Sequence, residues 1–316
     1  MRSSYSSRCT DRKLRPLFIR DRHTGLGSRD FFAKVRPINE EANPGADSIF
    51  FLRTKMDGEK SELVAKVPQV TFLFWVVKVL ATTLGETAGD AVTMSWLGET
   101  TAEAKGTGYL IGTGIFGVIF IVAVLVQIRA KKFHPFLFWL TIVATTTVGT
   151  TLADYCTRSL GIGYTGGSTI LLICVIASLL IWRSATGSIS IETVSTPKVE
   201  IFYWVTIMFS QTLGTALGDW VADTNEMGYL GGVAIFGGLL LLTALLYYLT
   251  SFSRVILFWA AFILTRPLGA TLGDFLDKPI AEGSLALSRY TASLALVVVI
   301  VALILIFPQK PASKAH

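Results

Sequence analysis

Four copies of one sixteen-residue pattern recur along the chain, each inside a long apolar stretch. In every copy the first residue is Trp, the eleventh is Gly, the fifteenth is Gly or Ala and the sixteenth is Asp. The copies read WVVKVLATTLGETAGD from Trp75, WLTIVATTTVGTTLAD from Trp139, WVTIMFSQTLGTALGD from Trp204 and WAAFILTRPLGATLGD from Trp259. Such a repeat predicts an array of equivalent structural units rather than one irregular domain.

Eight apolar stretches, each near the roughly 20 residues that cross a bilayer as a helix, follow one another from Pro68 onward. Because 52% of the residues are hydrophobic and only 16% are charged, a soluble domain is disfavoured. The sequence therefore predicts an all-α, polytopic transmembrane bundle of eight helices. The predicted spans are 68–90, 109–128, 135–155, 164–182, 200–221, 228–249, 254–274 and 288–307.

Each unit contains one motif helix and one further helix, so successive units enter the membrane from the same side. We therefore expect four parallel two-helix repeats, related by rotation about the membrane normal. The repeats occupy residues 66–308, in units of about 66–132, 133–197, 198–252 and 253–308. Residues 309–316 are predicted to be a cytoplasmic tail.

Positive charge in the connections indicates the orientation, because cytoplasmic loops are enriched in Lys and Arg. One set of connections and the C-terminus carry most of these residues, whereas the opposite set carries few of them, beside several acids. Both termini are therefore predicted to be cytoplasmic. The basic residues of the cytoplasmic set are Arg129, Lys131, Lys132, Arg183, Lys198, Arg254, Lys310 and Lys314, and those of the opposite set are Lys105, Arg158, Lys278 and Arg289.

Residues 1–65 are predicted to be a disordered cytoplasmic leader. Residues 1–55 hold twelve basic and six acidic residues, which accounts for the whole net charge of +6. A patch for anionic lipid or nucleic acid is the alternative, but the mixed signs disfavour it, and we expect no nucleic-acid partner. A further alternative is that natural translation starts at Met56.

The repeated aspartates are the strongest functional signal. An ionised side chain in a membrane helix costs about 2.5–3.5 kcal/mol, and such residues usually mark a pathway or an ion pair. We predict that these aspartates, with Glu86 and nearby threonines, bind a small cation. The predicted cation-binding residues are Glu86, Asp90, Asp154, Asp219, Asp274, Thr83, Thr147 and Thr212.

Lys78, Glu86 and Arg266 depart from the repeat, because the other units carry uncharged residues at the same positions. Glu86 and Asp90 lie four residues apart and so share one helix face. One interpretation is that these three charges simply neutralise one another or an Asp. The other is that Lys78 or Arg266 supplies an internal counter-charge to an acidic cation site.

Small residues four apart let helix backbones approach closely, so the motif glycines are predicted to pack helices. These glycines are Gly85, Gly89, Gly149, Gly214, Gly218, Gly269 and Gly273. The repeated tryptophans lie near predicted cytoplasmic helix ends, where an interfacial anchoring role suffices.

Oxygen ligands in the motif favour a hard cation such as Mg²⁺, Ca²⁺, Mn²⁺, Na⁺ or H⁺, and no Cys or Met recurs in the motif copies to favour a softer metal. No cofactor is expected. Enzymatic function is also not expected, since the sequence lacks His-Glu-x-x-His, a serine elbow and a phosphate-binding glycine loop. Ala216 and Thr271 replace the first glycine of a Gly-x-Gly-Asp protease motif.

With its Thr-x-Gly-x-x-x-Gly-Asp copies, the chain resembles the bacterial membrane-anchored proteins built from a short repeat of unknown function. This resemblance covers about residues 66–308 and implies a multi-pass protein of the bacterial inner (plasma) membrane, in contact with lipid, without implying an activity. GETAGD is also loosely similar to the Glu-x-Gly-Asp motif of small cation exchangers, although two residues separate Glu86 from Gly89 here and one does there.

Two functions therefore remain. The first is a transporter or channel for a hard cation, either a divalent metal such as Mn²⁺ or Na⁺/H⁺, with alternating access by rocking of one pair of repeats against the other. The second is a non-transporting membrane scaffold or regulatory subunit in which the motifs only pack helices. Either function is compatible with a homo-oligomer.

Overall fold

The structure is a computed structural model that describes residues 65–100, 106–224 and 227–312. Within these residues the chain forms eight long α-helices and no β-strand, which confirms the predicted all-α class. Apart from residue 65, the predicted leader lies outside the described residues. The helices are α1 (Phe72–Asp90), α2 (Thr107–Arg129), α3 (Pro135–Asp154), α4 (Gly163–Thr186), α5 (Pro197–Asp219), α6 (Gly228–Leu249), α7 (Arg254–Asp277) and α8 (Arg289–Ile306).

Seven of the helices in the described part of the chain are long and apolar enough to cross a membrane. The eighth, α5, has 23 residues but is less apolar, because it carries Glu200, Gln211 and Asp219. Helix α6 begins and ends where the sequence predicts, whereas α1 begins at Phe72 instead of residue 68. The chain is thus a multi-pass membrane protein.

The four motif helices form a closed inner ring in which α1 and α5 each pack against both α3 and α7. The remaining helices surround this ring: α2 packs on α3, α4 on α5, α6 on α7 and α8 on α1. Each outer helix therefore contacts the motif helix of the next unit, and the last outer helix contacts the first motif helix. This cyclic order fits the four parallel repeats predicted from the sequence.

The first motif glycine of each unit lies against the next motif helix. A Cβ atom built on Gly85 would come within 1.8 Å of the Thr146 hydroxyl, and one on Gly269 within 2.1 Å of the Thr82 hydroxyl. The same relation joins Gly149 to Gln211, and Gly214 to Arg266. Because the contact repeats around the ring, the bundle has a pseudo-four-fold axis along the membrane normal.

The second motif glycine makes a similar approach one turn further along the helix. A Cβ atom on Gly273 would lie 2.6 Å from Glu86 Cβ, and those on Gly89 and Gly218 would lie 3.1 Å from Thr150 and Ala270. All seven predicted packing glycines therefore meet a neighbouring motif helix at short range, as small-xxx-small pairs do.

The repeated tryptophans belong to a second ring, near the N-terminal ends of the motif helices. In each of the first three units, the aromatic residue that precedes the Trp contacts the Trp of the next unit. The corresponding aromatic residue of the fourth unit contacts the Trp of the first unit. Trp139, Trp204 and Trp259 are buried in this ring, so the interfacial role expected for them is wrong. The ring-centroid distances are 5.5 Å for Phe74–Trp139, 5.9 Å for Phe138–Trp204, 6.3 Å for Tyr203–Trp259 and 5.8 Å for Phe258–Trp75.

Two short segments cross beneath this aromatic ring. The backbone N–H of Ala312 donates to the carbonyl of Val67, and that of Gln69 to the carbonyl of Lys310, both at 2.8 Å. Trp139 Nε1 donates to the Gln309 side chain. The described part of the predicted C-terminal tail is therefore paired with the residues that precede α1.

The glycine contacts make a prediction about stability. Gly269→Ala should lower the free energy of unfolding by roughly 1–3 kcal/mol, because its Cβ would overlap the Thr82 side chain and overpacking has about this cost. Gly238→Ala on α6 is the matched control, since nothing lies within 4 Å of its Cβ position. Thermal unfolding of the two purified variants in detergent would measure the difference, and equal losses would contradict the packing role.

Candidate functional site

Four layers of side chains fill the axis of the inner ring. Repeat positions four, eight, twelve and sixteen are spaced by about one helical turn, so they point along one face of each motif helix. All sixteen side chains are almost inaccessible to solvent. From the N-terminal end of the motif helices the layers are Lys78, Ile142, Ile207 and Phe262; Thr82, Thr146, Gln211 and Arg266; Glu86, Thr150, Thr215 and Ala270; and Asp90, Asp154, Asp219 and Asp274.

The Arg266 guanidinium occupies the centre of this axis. Its Nη2 lies 3.0 Å from Glu86 Oε2 and donates to the hydroxyls of Thr150 and Thr215. Since these three partners belong to the other three units, one side chain from the fourth unit connects the whole ring. Arg266 and Glu86, which the sequence singles out as departures from the repeat, thus form a buried ion pair that closes the axis.

The four aspartates lie at the outer end of the axis and share two cations. Lys278 Nζ contacts Asp90 and lies 3.0 Å from Asp274 Oδ1. Arg158 lies 3.1 Å from Asp154 and 3.3 Å from Asp219. Lys278 therefore ties unit four to unit one, whereas Arg158 ties unit two to unit three.

Lys278 and Arg158 were predicted from the sequence only to lie in outer connections. Their positions relative to the motif indicate that they contact the aspartates, because each basic residue lies four residues after the motif Asp of its own unit. Units one and three have Met94 and Asp223 at that position, so the basic residue alternates around the ring. This alternation divides the pseudo-four-fold layer into two ion-paired halves.

The helices change form at the same depth. Directly after Asp90, Asp154 and Asp219 the backbone widens into π-helical turns, whereas α7 remains α-helical to Asp277 and ends before Lys278. π-Helical turns are rare and occur often at functional sites. In the first unit this turn brings Met94 beside Lys278, with Sδ 3.6 Å from Nζ.

Lys278 lies immediately beyond the last residue of α7, and its ammonium is buried between carboxylates. Burial by itself would lower the pKa of this ammonium, but the carboxylates of Asp274 and Asp90 hold the pKa well above its usual range. The charged form of the Lys278 side chain is therefore favoured beside these carboxylates.

Asp90 and Asp274 contact this ammonium, and Glu86 lies close to both carboxylates. Glu86, Asp90 and Asp274 each offer an oxygen within 4.8 Å of the other two, and all three side chains are buried. Within the described residues, Asp90 Oδ1 has no hydrogen-bond donor. The three oxygens have the charge and spacing to coordinate a cation.

The structure does not bring every predicted residue into this group. Thr83, Thr147 and Thr212 donate their hydroxyls to backbone carbonyls of their own helices. Asp154 and Asp219 lie in the other half of the layer, with Arg158.

Lys78 is also separate from the acidic layers. Its Nζ lies 4.2 Å from the centre of the Phe262 ring and makes no hydrogen bond within the described residues. Of the two predicted counter-charges, Arg266 therefore contacts Glu86, whereas Lys78 contacts no carboxylate in the part of the chain that the structure describes.

This multi-pass membrane protein is thus a closed ring of four two-helix units whose central axis carries charged side chains. All four units match the family model described as Repeat of Unknown Function (DUF347), over residues 73–133, 137–188, 202–253 and 257–307. The chain belongs to this family, as its motifs predict. No curated protein and no solved structure gives a significant match to the chain.

The buried pair makes a second stability prediction. Arg266→Met should cost about 3–5 kcal/mol, because it leaves Glu86 buried without its cation, and the Glu86→Gln/Arg266→Met double change should recover most of this loss. Lys78→Met is the matched control and should be neutral or stabilising, since Lys78 has no carboxylate partner. Chemical unfolding of the four proteins provides the measurement, and equal effects of the two single Met substitutions would contradict this account.

Proposed function

We propose that the protein is a cation transporter of the bacterial inner membrane and that its site lies in the outer half of the axis. The observation that carries this proposal is the convergence of Glu86, Asp90 and Asp274 oxygens within 4.8 Å. Carboxylates are costly in a membrane unless a cation or an aqueous pathway accompanies them. Arg266 pairs with Glu86 and Lys278 supplies one positive charge for both Asp90 and Asp274, so a transported cation would supply the remaining charge.

The charge of the aspartate layer supports the same proposal. Within the described residues, Asp90 and Asp274 share the Lys278 ammonium, so full ionisation of this half of the layer leaves one negative charge in excess. Glu86 does not add to this excess because Arg266 neutralises it. A layer with such an excess attracts cations and repels anions.

The division of the ring into two ion-paired halves supports a mechanism of alternating access. Lys278 holds units four and one together at the outer end, and Arg158 holds units two and three. We propose that these halves rock against each other, which opens the aspartate layer to one side of the membrane at a time. The Arg266 contacts with Thr150 and Thr215 join the two halves, so they must break and re-form during each cycle.

The inner end of the pathway is closed in this state. The aromatic ring lies under the axis, and Lys66 forms a 2.6 Å ion pair with Glu200 beside it. Lys66 Nζ also donates to the Ile128 carbonyl. Opening towards the cytoplasm therefore requires these segments to separate.

A membrane scaffold remains the second candidate, because the tight glycine contacts and the bridging Arg266 also suit a rigid, non-transporting bundle. We propose no enzymatic activity and no cofactor for either candidate. A homo-oligomer is compatible with both.

Flux measurements distinguish the two candidates. Proteoliposomes containing the wild type should take up or release at least one of H⁺, Na⁺, Mg²⁺, Ca²⁺ and Mn²⁺. The Glu86→Gln/Asp90→Asn double variant should lose most of that flux while remaining folded, because it removes two of the three converging carboxylates. Glu282→Gln, an exposed change in the outer segment, should leave the flux unchanged. Absence of flux for every ion in folded wild type would favour the scaffold.

A further inference from the structure

We propose that the cation of this site is a divalent first-row transition metal, which replaces the Lys278 ammonium and binds Glu86, Asp90, Asp274 and the thioether of Met94. This inference rests on the proposed cation transport and specifies its substrate class. Four observations carry it: the position of Lys278, the charge that Lys278 leaves behind, the position of Met94, and an unused oxygen of Asp90.

Lys278 stands where the ligand atoms converge. Its Nζ contacts Asp90, lies 3.0 Å from Asp274 Oδ1 and lies 3.6 Å from Met94 Sδ. Any cation that used these atoms would overlap the ammonium. Lys278 is therefore a tethered cation that fills the site between transport events, and substrate enters when the side chain leaves.

The charge left behind matches a dication. Asp90 and Asp274 pair with Lys278, whereas Glu86 pairs with Arg266. Departure of Lys278 thus leaves two uncompensated carboxylates, which a divalent ion neutralises and a monovalent ion does not. In a buried site this difference is large because solvent screens the charges weakly.

The thioether of Met94 determines which class of divalent cation the site prefers. A thioether is a soft ligand that Mg²⁺ and Ca²⁺ do not favour, whereas the affinity of a site with oxygen and sulfur ligands for first-row transition metals rises from Mn²⁺ through Fe²⁺ to Co²⁺. Softer metals were not expected from the sequence, because no Met recurs in the motif copies. The π-helical turn after Asp90 nevertheless buries Met94 against the site, four residues beyond the motif.

Asp90 offers a further ligand atom. Its Oδ2 contacts Lys278, but its Oδ1 is fully buried and has no hydrogen-bond donor within the described residues. A buried carboxylate oxygen without a donor is unfavourable. A bound metal would coordinate it.

Mn²⁺ binding to the purified full-length protein tests the proposal, with free Mn²⁺ followed by electron paramagnetic resonance. Lys278→Met should bind Mn²⁺ at least about tenfold more tightly than the wild type, because the competing side chain no longer fills the site. Arg289→Gln is the matched control, since Arg289 pairs with Asp277 instead of the three ligands. Its affinity should remain near that of the wild type.

Competition with Ca²⁺ and Mg²⁺ tests the thioether. The wild type should prefer Mn²⁺, and Met94→Leu should lower that preference by on the order of tenfold, since Leu has similar volume but no ligand atom. An unchanged preference would show that Met94 is not a ligand and would overturn the assignment to transition metals.

A measurement on the wild type covers the case in which Lys278→Met does not fold. Saturating Mn²⁺ should increase the rate at which an amine-reactive reagent labels Lys278, because the metal displaces it towards the outer surface. Lys66 is the internal reference, since it is similarly buried but pairs with Glu200. Unchanged labelling of Lys278 in the metal-bound protein would overturn the displacement.

The outcomes separate this inference from the proposed function. If the wild type binds Mn²⁺ and Lys278→Met binds it no more tightly than Arg289→Gln, the tethered-cation inference is wrong and cation transport stands. If folded wild type and variants bind neither Mn²⁺, Ca²⁺ nor Mg²⁺, and no ion is transported, both proposals are wrong.

Discussion

The close approach of the four motif helices is the constraint on which the other features depend. A glycine in each helix meets a side chain or backbone of the next, and the side chains on the axis are buried. A charged group on that axis is then costly unless it has a partner within the protein, and among the described residues Lys78 lacks a hydrogen-bond partner. Arg266 has such partners, because it contacts Glu86, Thr150 and Thr215, one from each of the other units.

Periodicity was sufficient to predict the ring, because Trp, Gly and Asp recur at fixed helical spacing and an even number of spans makes the units parallel. It did not predict the partners of the aspartates. Basic residues next to helix ends are usually solvated, and only their distance of four residues from Asp154 and Asp274 distinguishes Arg158 and Lys278. Met94 was missed because its contact depends on a π-helical turn, which no residue pattern specified. The cation-binding role of the predicted residues stays a prediction.

Fusion of four repeats into one chain permits a centre that a symmetric assembly could not contain. Four identical subunits would place either four arginines or none at the level of Arg266, and four cations at one axis would repel one another strongly. In the single chain the same layer holds Thr82, Thr146 and Gln211 beside one Arg. The pseudo-symmetric ring of helices therefore holds the charged side chains in place. Because the four repeats differ in sequence, only one of them supplies an arginine to this layer, and repulsion between like charges is avoided.

The cyclic packing also affects how the chain is made. Helix α1 is synthesised first among the described spans, yet its lateral neighbour α8 is synthesised last. In the folded protein Ser293 of α8 contacts Thr87 of α1. Until α8 enters the membrane, this side of α1 faces lipid or another protein. A nascent chain therefore holds its acidic first helix in an unfinished ring during most of its synthesis, when insertion factors and membrane proteases can recognise it.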